Sequence, residues 1–169
     1  GNKYVGSWMN DEKHGEGTFT DNIGHRYVGS WVNGDRHGKG TYSFVGDKKD
    51  KIYDTESLFF NGIRYVGQWQ ENKFHGKGSF KYSNGDTYEG DWSMDKREGK
   101  GILTTVAGEH YDGEWKNDQK NGYGEYDYMN GDRYIGLWKN DQFNGTGKMI
   151  YSNGDSYDGD WAKNLKHGK

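Results

Sequence analysis

The chain contains no cysteine and no proline. The lack of thiols excludes disulfides and thiolate metal sites. Long aliphatic side chains are scarce, with four Leu, six Ile and six Val in 169 residues, a poverty that by itself points toward disorder. No run of about 18 apolar residues is present, so no membrane-spanning helix is encoded. No basic excess exists either: the formal net charge is −3, which argues against nucleic acid as a partner. A secretory leader is not visible. Glycine reaches 29 residues, yet it follows no three-residue period, which excludes collagen.

What the chain does have is aromatic rings, 17% of all residues. They recur in register, which a solvated tail has no reason to do. The pattern Tyr-x-Gly-x-Trp is written seven times, from Tyr4-Val5-Gly6-Ser7-Trp8 to Tyr157-Asp158-Gly159-Asp160-Trp161, and it uses every tryptophan. The leading tyrosines are Tyr4, Tyr27, Tyr65, Tyr88, Tyr111, Tyr134 and Tyr157, spaced 23 residues apart except between Tyr27 and Tyr65. A fixed period of this size signals a repeat architecture. The surplus residues fall at about 45–59 in the second repeat. They read either as a solvated hairpin tip or as a partner contact through Ile52, Tyr53, Leu58, Phe59 and Phe60.

Each repeat reads as two strands. Thr87–Trp92 alternates and is rich in β-formers, as is the later stretch Gly78-Ser79-Phe80-Lys81-Tyr82 in the preceding copy. The six polar residues after the tryptophan, Ser93–Glu98, read as a loop. Asn84-Gly85, Asn130-Gly131 and Asn153-Gly154 read as type I′ hairpin turns. The expected fold is therefore all-β: an elongated, single-layer, twisted antiparallel meander. The two-residue period of a strand puts Tyr88, Gly90 and Trp92 on one side and Glu89 and Asp91 on the other. The glycines read as space for rings rather than as flexibility. One face would then be a lengthwise aromatic groove. Repeat four is the weak copy, with Leu103 and Thr105 where others carry rings, and a gap or bend is expected there. The last copy is cut short at Lys169, so residues 1–169 read as a seven-copy array excised from a longer protein.

No catalytic constellation emerges. His14, His37, His75 and His167 share one repeat position beside a glycine and recur along a line, whereas metal ligands must converge. His25 and His110 lie at turns with no visible partner. No nucleophile elbow or Walker loop is present. Asp86, Asp132 and Asp155, with Glu109 in the same place, read as turn residues bonding nearby backbone amides. Neither a metal nor a cofactor is expected. Trp8, Trp31, Trp69, Trp92, Trp115, Trp138 and Trp161 read as architectural. Tyr42, Phe44, Phe80, Tyr82, Tyr126, Tyr128 and Tyr151 read as groove rings open to a partner. Tyr88, Tyr111 and Tyr134 are counted with them as partner-binding positions.

Tyr-x-Gly-x-Trp, then His-Gly-x-Gly, then an aromatic strand and Gly-Asp, on a 23-residue period, resembles the MORN repeat family over essentially the whole chain. Departures are the insertion after Phe44, the degraded fourth repeat, and Glu98, Asn121 and Asn144 where the family often has His. The resemblance implies β-hairpin arrays and adaptor behaviour. Such repeats occur in junctophilins, radial-spoke head proteins, plant phosphatidylinositol phosphate kinases, alsin, a histone lysine methyltransferase and apicomplexan scaffolds. The expected function is a non-catalytic scaffold that takes a helix or extended segment of a partner protein in the groove. Self-association through the open sheet ends, as a homodimer, accompanies that reading. The alternatives are a module for anionic phospholipids, served by Lys77, Lys81, Lys96, Arg97 and Lys100, or a regulatory segment of a larger enzyme. The expected location is the cytoplasm, and the resemblance adds cytoskeletal or membrane association.

Overall fold

The computed structural model describes residues 1–44 and 62–167. The insertion at about 45–59 lies outside the described residues. Among the described residues every regular element is a strand. In the first half these are β1 (Lys3–Met9), β2 (Glu12–Thr20), β3 (Arg26–Val32), β4 (Asp35–Ser43), β5 (Arg64–Gln70) and β6 (Lys73–Lys81). The second half holds β7 (Thr87–Ser93), β8 (Lys96–Thr104), β9 (His110–Lys116), β10 (Gln119–Asp127), β11 (Arg133–Lys139), β12 (Gln142–Ile150), β13 (Ser156–Ala162) and β14 (Leu165–His167). The 14 strands are ordered in the sheet as they are in sequence, an antiparallel meander. The chain divides into two compact units, Gly1–Gly85 with β1–β6 and Asp86–Lys169 with β7–β14.

The sequence reading has the two kinds of connection exchanged. The polar stretch after each tryptophan is a hairpin, not a loop. Ser93 pairs with Lys96, and Met94 and Asp95 between them have φ of 50° and 69°. Two successive left-handed residues make the type I′ turn whose twist matches that of the strands it joins. Polar residues at this turn also continue into β8, so the even-numbered strands begin earlier than their aromatic pattern shows. The Asn-Gly end is instead a three-residue loop, Ser152 to Gly154. Tyr151 N–H donates to the Asp155 carbonyl at 2.8 Å, and Gly154 N–H donates to the Tyr151 carbonyl at 2.9 Å. Only Gly154 is left-handed there, with φ 92°. Asn153 Oδ1 accepts from Asp155 N–H at 3.0 Å, the reason for asparagine in this turn.

A second irregularity falls on His-Gly-x-Gly. Gly6 pairs with Gly17 and Trp8 with Lys13, so three residues of β2 (His14-Gly15-Glu16) oppose the single Ser7 of β1. Gly15 absorbs this bulge with φ 65°. The second glycine of the motif does something different. Gly101 lies opposite Gly90, and a Cβ on it would stand 2.1 Å from the Tyr88 hydroxyl. The tyrosine ring thus lies across a pair of glycines, as the reading of glycine as space requires. Its hydroxyl donates to the Asp91 carbonyl at 3.0 Å, so a fully buried phenol is satisfied.

Repeat four keeps its backbone. Leu103 stands opposite Tyr88 on one side and Tyr111 on the other, and the β7–β8 pair carries the same bulge as the other copies. The gap is in the row of rings alone. The Gly-Asp carboxylates also reach further than expected. Asp86 Oδ1 accepts from Val106 N–H at 2.9 Å and Asp132 Oδ1 from Ser152 N–H at 2.8 Å, each 20 residues on. They tie the turn of one repeat to the next, and Asp132 Oδ2 also accepts from Asn130 Nδ2 within its own turn at 2.9 Å.

Candidate functional site

The aromatic face has a floor and a rim. The floor is the Tyr–Trp layer. Trp31, Trp69, Trp92, Trp115, Trp138 and Trp161 are at most 6% exposed. Trp115 Nε1–H donates to the Gly101 carbonyl at 2.9 Å, and Trp161 Nε1–H donates to the Gly147 carbonyl at the same distance. Trp31, Trp69, Trp115, Trp138 and Trp161 each latch in this way onto the second strand of the previous repeat. Each of these rings meets two tyrosines edge-on, as Trp115 meets Tyr88 at 5.4 Å and Tyr111 at 5.1 Å. Trp8, on the sheet-edge strand β1, is 59% exposed and departs from this architectural role.

Tyr88, Tyr111 and Tyr134 belong to the floor as well. They are 0% exposed and offer no surface to a partner, which corrects their placement among the groove residues. The reason is the glycine pair beneath each ring: it lets the phenol sink to the backbone, where the next tryptophan covers it.

The rim carries the remaining groove rings, all half-buried. In the first unit, Tyr42 approaches Trp69 at 6.3 Å and Phe80 approaches Tyr82 at 4.6 Å. Phe44 packs 4.4 Å from His25. In the second unit, Tyr126 and Tyr128 lie 4.5 Å apart, and Tyr151 stands beneath the Lys166 ammonium at 5.2 Å. The Tyr126 hydroxyl donates to Glu109 Oε2 at 2.8 Å. Burial, then that bond to Glu109, pushes its phenol well above the ordinary tyrosine value.

Sequence reasoning missed a column of seven residues nine positions after each leading tyrosine: Lys13, Arg36, Phe74, Arg97, Lys120, Phe143 and Lys166. Reading this segment as a loop hid it; alignment on the repeat period exposes it. Five are cations that sit over rings, among them Lys13 4.4 Å from the Trp31 ring centroid, Arg97 4.1 Å from Trp115 and Lys120 4.2 Å from Tyr126. The other two are phenylalanines stacked on the buried tyrosine, Phe74 on Tyr65 at 3.9 Å and Phe143 on Tyr134 at 3.8 Å. Within each unit the backbone at Arg36, Arg97, Lys120 and Phe143 is gripped by the I′ turn of the following repeat. Lys120 N–H donates to Asp141 Oδ1 at 2.8 Å, and Asp141 N–H donates back to the Lys120 carbonyl at 3.0 Å. Burial holds the Lys120 ammonium below its usual range, with Asp141 opposing the shift.

The first unit adds a hollow of about 350 Å³ over Tyr27 and Trp31, with Lys13, Arg36, Tyr42 and His25 around it. His25 Nδ1 meets Asp21 Oδ2 at 2.7 Å, which supplies the partner that the sequence did not show. Among the described residues no three His, Asp or Glu side chains gather as metal ligands, and no helix is long and apolar enough to cross a membrane.

No curated protein sequence matches the chain. Among solved structures, the SAS-4 (dCPAP) TCP domain in complex with a proline-rich motif of Ana2 (dSTIL) of Drosophila melanogaster is similar at 13% identity and a TM-score of 0.44. That likeness covers 93% of this chain and 88% of the other. The MORN repeat model matches residues 4–26, 27–47, 65–87, 88–109, 111–133, 134–156 and 157–169. The matched segments begin at the leading tyrosines and span the strand pairs and glycine seats described above: the chain belongs to the MORN repeat family.

Proposed function

We propose that the chain is a non-catalytic adaptor module that holds a segment of a partner protein on its aromatic face. MORN repeats serve as protein-binding or membrane-associated modules, and their presence supports the coarser reading. One observation carries the finer one. Rings as large as Tyr42, Phe80, Tyr82, Tyr126, Tyr128 and Tyr151 are only half-buried, above a floor that is already closed. Stability does not require them to face water, and half-buried aromatics on a rigid floor make good anchors. Phe44 joins them in the first unit. The repeat array is the domain that acts, in this chain or within a larger protein.

The test has two arms. A display library of helix-forming peptides is panned on the chain, and recovered peptides are measured against Tyr126→Ser/Tyr128→Ser. Binding reduced about tenfold or more, with the thermal transition retained, supports the aromatic face. Unchanged binding sinks it. Flotation with neutral and phosphoinositide-containing vesicles is the second arm. Salt-sensitive flotation with phosphoinositide alone would move the function to the lipid surface.

A further inference from the structure

Given an aromatic face that holds a partner, we infer that the partner segment is an acidic α-helix. Its carboxylates, seven residues apart, would seat on the cations of the even-numbered strands. The inference rests on the reading above and names the chemistry of its occupant.

The column nine residues after each leading tyrosine has an order. In the first unit β2, β4 and β6 carry Lys13, Arg36 and Phe74. In the second unit β8, β10 and β12 carry Arg97, Lys120 and Phe143, followed by Lys166 on β14. Cation, cation, ring occurs twice. Successive members are two strands apart, which sets them roughly 9.6 Å from one another. Seven residues of an α-helix rise about 10.5 Å and return to nearly the same face. An extended strand fits poorly, because residues three apart cover about 10 Å but point to opposite sides.

Arg97 is held by Asp118 and Arg36 by Asn72, whereas the lysine ammonium groups of the column make no direct ion pair among the described residues. Lys13 rides on Trp31 and Phe19, at 4.4 and 4.8 Å, and its ammonium has no hydrogen bond and no ion pair among the described residues. The Lys120 ammonium rides on Tyr126 and Trp138 in the same condition, at 4.2 and 5.0 Å. Acids outnumber bases in this protein, 26 to 23, so carboxylates were available to pair with them. Asp35 near Lys13, and Asp141 and Glu109 near Lys120, offset only part of the burial, and a half-buried cation with no carboxylate in contact is a cost that an incoming carboxylate relieves. Burial lowers the pKa of both ammonium groups, in keeping with that cost. Lys13 and Arg36 share the 350 Å³ hollow, which leaves room for an acidic side chain between them. The phenylalanine third in each series would then meet an apolar residue seven positions further along the helix.

The measurement starts from the peptides recovered by panning. Each is resynthesised with its acids and with Gln in their place, and its affinity is read at two salt concentrations for the whole chain. It is read again for Lys13→Met/Lys120→Met, which keeps an unbranched side chain over the rings, and for Lys13→Arg/Lys120→Arg. Expected are Glu or Asp seven residues apart, salt-weakened binding, a loss of about tenfold in the Met variant and recovery in the Arg variant. Peptides without that spacing, or equal affinity for a Met variant that keeps its thermal transition, would overturn the inference while leaving the aromatic face in place. A yield of no peptide sensitive to Tyr126→Ser/Tyr128→Ser would overturn both. Vesicle capture that depends on Lys13 and Lys120, with no acidic peptide recovered, would assign the cations to lipid.

Discussion

Two glycines of this chain are needed for unrelated reasons, and alanine separates them. A Cβ on Gly113 would stand 2.6 Å from the Gly124 Cα, a backbone atom that cannot step aside. Gly113→Ala therefore forces the β9–β10 pair apart and is expected to cost well over the roughly 1–3 kcal/mol of ordinary overpacking. A Cβ on Gly154 meets nothing within 4 Å, but φ is 92°. Gly154→Ala pays only the left-handed penalty, about 1–2 kcal/mol. Urea midpoints of the two variants test the order, and equal losses would contradict it. The indoles separate in the same way. Trp115 is 4% exposed and latched to Gly101, so Trp115→Ala should cost about 3–5 kcal/mol, whereas Trp8→Ala at 59% exposure should cost far less. The stability of a whole domain is only about 5–15 kcal/mol, so the first variant should lose a large share of it and melt well below the parent.

At the scale of the hairpin, residues that share a sequence pattern do not always share a structural duty. Strand pairing and the side each ring takes were legible, because the two-residue period and the 23-residue repeat agree in all copies but for the insertion in the second and the missing rings in the fourth. The turns were not. Asn-Gly is common to two loop geometries, and only the hydrogen bonds around Tyr151 and Gly154 distinguish them. The true I′ position carries Asn-Asp in several copies but Met94-Asp95 in the fourth, which obscures it. The cation column was hidden by the same error. Burial of Tyr88, Tyr111 and Tyr134 followed from a ring lying over paired glycines, a cross-strand coincidence that one strand's pattern does not reveal. Met94 offers a test of the turn assignment. At φ 50° and 43% exposed, it bears a left-handed cost that asparagine tolerates better. Met94→Asn should raise stability by about 0.5–1 kcal/mol; a loss would mean the side chain packs where its exposure says it does not.

Across the whole molecule the same phenol is buried again and again, and this couples stability to alkaline pH. Burial raises the phenols of Tyr27, Tyr111 and Tyr126 far above the ordinary value of 10, and those of Tyr128 and Tyr134 to about 12. In the unfolded chain these groups ionise near pH 10, whereas the folded chain keeps its protons. The unfolded state then binds fewer protons than the native one, so stability falls with rising pH. The contribution is fully present below pH 10 and is lost as pH climbs from there through about 12. Because several tyrosines act together, the loss should be steep and cooperative. Tyrosinate absorbance and the far-ultraviolet strand signal should then change in a single step. A gradual rise of tyrosinate absorbance around pH 10 with the sheet intact would show that the floor phenols are open to solvent, and the distinction between floor and rim would fall with it.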